Sequence, residues 1–309
     1  MLTSQGGKQV LSVNGKGFKD INLAVIQQVA TAPASIMLYD ALQAYAKQYY
    51  PEVKYTMVDP NNDASKQSEL MQQFIAQKVD CITLNAADAD VLVSSVQDAI
   101  KAGIPVVNVG AALSKEVGQH NVISENFQAG EFQMNYICEK LLKGKGNVAI
   151  IRGQDGHQAT TDRSKGYTDV LKKYPEIKVV FEDTASWNRD TAMSLVENWL
   201  QSGKQFDAIL CQNDSMACGA ADAVVAAGKQ NEIKVAGCDF SEDGAKYMVE
   251  GKLAVNILQN CPAQGTNTFQ MAVELALGND PKQVVIPFEL ITPDNLKEYV
   301  AKYWPNLSK

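Results

Sequence analysis

The sequence predicts an α/β protein built from two doubly wound, Rossmann-like lobes. Three observations predict it. Short apolar runs alternate with amphipathic helical segments from residue 21 onward, the pattern of βα units around a parallel sheet. The alternation restarts near residue 125. The segment VDCITLNAADADVL at Val79 is echoed by FDAILCQNDSMACG at Phe206: an Asp, an apolar strand, a polar corner and an Ala-rich helix. A chain of 309 residues is also long for a single core.

In order, Ile21 to Ile26 reads as the first strand, followed by Gln27 and Gln28. Pro33 starts a helix through Tyr49, and Pro51 stops it. A strand from Val53 to Val58 is closed by the turn-forming DPNND. Leu70, Met71, Phe74 and Ile75 give Ala64 to Lys78 a helical apolar face. Cys81 to Leu84 is a strand, Val91 to Ala102 a helix and Ile104 to Val109 a strand. The second half opens with a helix over Phe127 to Leu142, the turn KGKGN and a strand from Val148 to Ile151. A helix from Asp162 to Lys173, a strand from Ile177 to Glu182 and a helix from Arg189 to Gln201 follow.

The stretch Phe206 to Phe240 carries the chemistry. Ala208 to Cys211 is apolar throughout, as in a strand buried on both faces. Gln212, Asn213 and Asp214 follow it, Ser215 is placed to cap the next helix, and Ala227-Gly228 ends that helix. Val235 to Cys238 is the next strand, with Asp239 at its end. Asn213 and Asp239 therefore share one sheet edge, and the carboxyl ends of strands in open parallel sheets face the ligand crevice. An amide and a carboxylate there suit a polyhydroxylated solute; ordinary turn chemistry is the alternative for each. After Asp239 come a short helix, LAVNIL (Leu253 to Leu258), Gln259, Pro262, a long helix from Gly265 to Leu277, VVIPFELIT and a last amphipathic segment. Some of these must return to the first lobe, which implies several crossings and a hinge.

Composition bounds the function. The net charge of −7 argues against nucleic acid or an anionic membrane as partner. No apolar run approaches the roughly 20 residues of a membrane span. The opening MLTSQGGKQVLSVNGKGFKD has no apolar signal-peptide core and is expected to be a disordered leader. Either the protein is cytoplasmic or an export signal has been removed. Cys81, Cys138, Cys211, Cys218, Cys238 and Cys261 match no zinc spacing and read as buried thiols. No GxGxxG, P-loop, GxSxG or HExxH motif is present, so an enzyme is not expected, nor is any cofactor or metal. A repressor of the LacI type would need a DNA-binding head of about 60 residues before the first strand.

The motifs VDPNND, ITLNAADADVLVSSVQDAIKAGIPVV, CQNDSMACGA, VAGCDFSEDG and GKLAVNILQN, taken together, resemble the type I periplasmic sugar-binding proteins of ABC importers, closest to the ribose-binding proteins. The resemblance covers roughly Ile21 to Thr292. It implies two lobes, 1–124 plus 260–288 and 125–259 plus 289–309, joined by a three-segment hinge that closes on one solute. It further implies that Asn213, Asp239 and Gln259 bind sugar hydroxyls, that Trp187 covers one face of the sugar ring, and that Gln28 is a contact from the first lobe. Asp155 and His157, in the loop RGQDGHQATTD, are further candidates, with a solvated loop histidine as the alternative for His157. Several positions depart from the ribose binders: Ala34 and Ser35 replace paired phenylalanines, Gly110 and Ala111 an Asp-Arg pair, and Thr161 a ligand-binding arginine, with Arg163 two residues on. The first-lobe grip is therefore reduced, and a neutral sugar or polyol other than ribose is expected. The implied protein is a monomeric extracytoplasmic binding component, free or lipid-tethered, that delivers its solute to an ABC permease. A nucleoside or signalling molecule as solute, or a chemosensory role, is the alternative.

Overall fold

The computed structural model describes residues 12–308 and, before them, the backbone of two short strands, β1 (Leu2–Thr3) and β2 (Gln9–Val10), which pair antiparallel. The chain divides into two compact lobes, Met1–Ser124 with Asn260–Ile286, and Glu125–Gln259 with Pro287–Lys309, and so passes from one to the other three times.

In the first lobe, β3 (Asn22–Ile26), α1 (Pro33–Tyr49), β4 (Lys54–Val58), α2 (Ala64–Gln77), β5 (Cys81–Leu84), α3 (Val93–Lys101), β6 (Val106–Gly110) and β7 (His120–Ile123) follow the predicted alternation. The second lobe runs through α4 (Asn126–Asn135), β8 (Lys145–Arg152), α5 (Gln158–Leu171), β9 (Glu176–Thr184), α6 (Arg189–Gln201), β10 (Ala208–Cys211), α7 (Asp214–Ala226), β11 (Lys234–Ala236), α8 (Glu242–Val249) and β12 (Asn256–Gln259). The chain then returns through α9 (Cys261–Ala276) and β13 (Val284–Val285) before β14 (Phe288–Ile291) and α10 (Leu296–Tyr303).

The first-lobe sheet has the order β13-β7-β6-β5-β3-β4, and all its pairs are parallel. The second-lobe sheet has the order β11-β10-β8-β9, again parallel. Beside β11, isolated parallel bridges join Ala236 to Val255 and Asp239 to Leu258, and β12 pairs antiparallel with β14. The run VVIPFELIT is thus split at Pro287: Val284 and Val285 extend the first sheet, and Phe288 to Ile291 belong to the second lobe. Proline suits the break because it cannot donate to a ladder on either side.

Central strands are buried on both faces, as their continuous apolar runs require. In the second lobe, Ala149, Ile151, Ile209 and Cys211 on one face pack with Val196, Trp199, Met216 and Phe240. Val148, Ile150, Ala208 and Leu210 on the other face pack with Met134, Ile137, Tyr167 and Val170. All six cysteines are buried free thiols.

Three local expectations are corrected. The helix expected over Phe127 to Leu142 is α4 followed by a π-helical turn at Tyr136–Leu141. α5 begins at Gln158, four residues before the expected Asp162, because His157 caps it through Nδ1, which accepts from Ala159 N at 3.2 Å. Residues 12–20 of the expected disordered leader are docked on the first lobe. Val13 N and Asn14 N donate to Leu277 O at 2.8 and 3.2 Å, and Asn14 Nδ2 donates to Ala276 O at 2.9 Å. These bonds satisfy carbonyls that the end of α9 would otherwise leave open. Lys16 pairs with Asp80, and Phe18 stacks edge-on against Tyr50 at 5.3 Å. Residues 1, 4–8 and 11 of that leader lie outside the described residues.

Candidate functional site

The second lobe gathers its polar side chains at the carboxyl ends of its strands. After β10, Gln212 is fully buried and does scaffolding work: Oε1 accepts from Gly153 N at 2.9 Å, and Nε2 donates to Thr160 O at 3.2 Å and Ser164 Oγ at 2.9 Å. It thereby fixes the loop after β8. Asn213, next in line, is the N-cap of α7, the role expected of Ser215: Oδ1 accepts from Met216 N at 2.9 Å. Its Nδ2 donates to Trp187 O at 3.4 Å. The turn and ligand readings of Asn213 are therefore compatible, since the cap uses the oxygen and leaves one amide N–H.

Trp187 follows β9 at φ +67°, a left-handed conformation that an L-residue adopts at some cost. Its ring lies against Gly153 so closely that a Cβ there would meet it at 2.0 Å, so only glycine fits. His157 meets the same ring edge-on at 5.5 Å. The Trp187 indole N–H is buried and has no hydrogen-bond partner among the described residues. His157 is buried, not a solvated loop residue.

Asp239 stands just beyond β11, 3% exposed, at φ +130°, and Phe240 follows at φ +56°. Asp239 N donates to Ile257 O at 2.8 Å, and among the described residues its Oδ2 accepts only from Asp214 N, at 3.4 Å. Burial pushes the Asp239 carboxyl well up, and the Arg163 guanidinium works against that shift. Beside it, Asp214 is also buried, and its carboxyl is pushed up by burial and then by the charge of Asp239.

Arg163, 4% exposed, reaches across the lobe. Nε donates to Asn126 Oδ1 at 3.0 Å, Nη1 to Gln212 O, and Nη2 to Gln259 Oε1 at 2.8 Å, while the guanidinium lies 5.6 Å from the Phe288 ring centre. Gln259 is tied to the corner through its own N–H, which donates to Asp239 O at 3.2 Å. A continuous chain of contacts therefore links Trp187, Asn213, Asp214, Asp239, Gln259 and Arg163.

Two candidates stand apart from this group. Asp155 is exposed and pairs with Arg152 at 2.5 Å, and Arg152 also pairs with Glu182 at 3.2 Å. Thr161 is exposed on α5. Both line a separate open groove of about 560 Å³ with Phe127, Lys165 and Lys172. The ion pair takes Asp155, and Thr161 lies exposed on the groove side of α5. On the first lobe, Gln28 is 9% exposed; Nε2 donates to Asn62 Oδ1 at 3.0 Å, and its carbonyl accepts from Asn62 N at 2.7 Å. Among the described residues no group of three or more His, Cys, Asp or Glu could hold a metal, and no helix is long and apolar enough to cross a membrane.

Sequence reasoning passed over Asp214, Asn256 and Ser241. Asp214 Oδ2 accepts from Ser241 N at 2.7 Å and Ser241 Oγ at 2.8 Å, and Oδ1 accepts from Asn256 Nδ2 at 2.7 Å. The one signal for Asp214 was its place directly after Asn213.

Residues 13–280 match the model of the periplasmic binding protein domain. The chain belongs to that family. Its members bind and hand over solutes and are not enzymes. A putative rhizopine-binding protein of Rhizobium meliloti is 35% identical over 277 residues, 86% of this chain and 88% of the relative. The ribose import binding protein of Bacillus subtilis is 28% identical over 280 residues, 90% of each chain. Among solved structures, an ABC transporter solute-binding protein from Bacillus halodurans C-125 with bound myo-inositol superposes with a TM-score of 0.88 at 34% identity, covering 92% of this chain and 98% of that one. These periplasmic binding proteins are two-lobed α/β proteins, as this chain is.

Proposed function

We propose that this periplasmic binding protein captures a neutral sugar or polyol outside the cytoplasm and delivers it to an ABC transporter permease. The carrying observation is Asp239, a buried carboxylate whose side chain accepts one long hydrogen bond and so keeps most of its acceptor capacity. Burying a carboxylate costs several kcal/mol unless donors compensate it. Solute hydroxyls are suitable donors, and bonds to an ionised acceptor are about twice as strong as neutral ones.

The neighbouring groups support this reading. The unpartnered indole N–H of Trp187 offers a donor, and its ring offers an apolar face for the C–H side of a cyclic solute. Asn213 offers an amide N–H, and Gln259, whose oxygen is held by Arg163, offers its amide N–H groups. Gln28 is the contribution proposed from the first lobe. Asp155 and Thr161 are not part of this proposal. Buried polar groups placed this way reject analogues that lack a hydroxyl, because the unmatched group stays unpaired. Cyclic polyols are the first candidates, since the Bacillus halodurans relative holds myo-inositol; the xylitol-binding protein of Mycolicibacterium smegmatis, 35% identical over 259 residues, adds acyclic polyols.

Calorimetric titration and thermal shift across cyclitols, pentoses, hexoses, acyclic polyols, nucleosides and amino acids tests the proposal. A concentration-dependent rise in melting temperature with one of the first four classes is expected. A response confined to nucleosides or amino acids overturns it.

A further inference from the structure

The corner that carries Asp239 has an unusual backbone. Two successive non-glycine residues hold positive φ, +130° at Asp239 and +56° at Phe240. Such residues are strained and persist only where their surroundings over-determine them. Asp214 supplies much of that determination. From the first turn of α7 it accepts Ser241 N and Ser241 Oγ on one oxygen and Asn256 Nδ2 on the other. Asn256 in turn accepts from Phe240 N at 3.2 Å, so both sides of the strained pair are bound into one network. The seat is cut to fit: a Cβ at Gly244 or Gly237 would lie 2.0 or 2.5 Å from the Asp214 carboxylate.

All three donors into Asp214 require it to act as an acceptor, and an ionised carboxylate accepts without donating. Asp239, by contrast, receives a single long bond from Asp214 N. We propose that Asp214 is a positioning residue for Asp239: it fixes the turn at 237–241 and so leaves the Asp239 oxygens for the solute. The proposal rests on the reading of Asp239 as the solute-binding carboxylate. The charged or titratable groups facing Asp239 are Arg163 from α5, Asp214 from α7 and the Cys238 thiol next to it. Arg163 is the one cation among them, and it lowers the Asp239 titration, as the bond from Asp214 N also does.

The hydrogen bond from Asp214 N holds the Asp239 titration at lower pH than burial alone would put it, so a loosened turn raises it. The test follows the Asp239 side-chain carboxyl by ¹³C NMR titration without solute, and the affinity for myo-inositol from pH 4 to pH 8, in wild type, Asp214→Asn and Ser241→Ala. Asp214→Asn, which loosens the turn and with it the bond from residue 214 N to Asp239, is expected to move the Asp239 midpoint to higher pH and to weaken myo-inositol binding about tenfold at neutral pH. Ser241→Ala, which removes one donor from Asp214 and the N-cap of α8, is expected to move the midpoint the same way by less. An Asp239 midpoint unchanged in both variants overturns the proposal whether or not myo-inositol binds. Failure of every sugar and polyol to bind wild type, with the midpoint shift intact, would instead sink the assigned function and leave the Asp214–Asp239 relation standing.

Discussion

The two lobes share a plan but bury different chemistry. Each ties its strand ends with one buried glutamine from a flanking helix. In the first lobe Gln67 Nε2 donates to Gln27 O and Asn85 O, both at 2.7 Å, while Oε1 accepts from Ala87 N at 2.9 Å. In the second, Gln133 Nε2 donates to Cys211 O at 3.0 Å and Gly237 O at 2.9 Å, and its oxygen accepts from Tyr167. Among the described residues the first lobe buries amides and hydroxyls but no charged side chain, whereas the second buries Arg163, Asp214 and Asp239. A scaffold of this kind does not need buried charge to stand, as the first lobe demonstrates. The charges of the second lobe are therefore an expense that calls for a use, and solute recognition is the use proposed.

The largest expected effect comes from removing that expense. Asp239→Asn should weaken solute binding about 100-fold, the loss of a charge-assisted acceptor. The same variant should be more stable without solute. An unfolded aspartate titrates near 3.9. Burial raises the folded value, so the native state holds a proton that the unfolded state has shed, and stability falls as pH rises through that window. Asparagine removes this penalty. At pH 7 Asp239→Asn should melt about 2–4 °C above wild type, as ~1 kcal/mol does in a domain of this size, with the gap closing on acidification toward pH 4. A variant that melts lower at pH 7 would make Asp239 a structural residue and erase the contrast between the lobes.

Gly153→Ala comes next. The added methyl overlaps the Trp187 ring, so the ring must move, and binding should fall about tenfold in calorimetry, as a stacking face worth ~1 kcal/mol or more is lost. Unchanged affinity would remove Trp187 from the site. Asn213→Ser separates two roles: serine caps a helix as well as asparagine does, but it lacks the amide donor. Melting within about 1 °C of wild type and binding weaker by about fivefold are expected. If melting falls and binding does not, Asn213 is only a cap. The smallest effect should come from the first lobe, where Gln28→Ala removes a neutral amide and costs about twofold to threefold in affinity. A loss there equal to that of Asp239→Asn would show the grip to be evenly shared.

Much of this was legible in the chain. Continuous apolar runs located the central strands within a few residues, because a strand buried on both faces leaves no other pattern. The corners after those strands located Asn213 and Asp239, since side chains at strand ends are placed by topology alone. What escaped depended on contacts between segments far apart in the chain. Asp214 reads as one more polar turn residue until Gly237, Gly244, Ser241 and Asn256 are seen around it. His157 looked like a loop residue because a histidine N-cap is rare and its packing partner, Trp187, is thirty residues away. Thr161 aligned with a family contact, yet the helical turn that buries Arg163 exposes it. Residues 12–20 carry no apolar periodicity; the open carbonyls at the end of α9, together with Asp80 and Tyr50, hold them in place.

The indole N–H of Trp304, just past α10, donates to the carbonyl of Phe240 at 3.0 Å, and Tyr299 and Tyr303 meet the Phe240 ring edge-on. The last helix of the chain thus pulls on the same turn that Asp214 pins from within. Intrinsic tryptophan emission would then report on that turn without any added dye, and shortening the chain ahead of residue 304 would detune the turn while leaving both sheets whole.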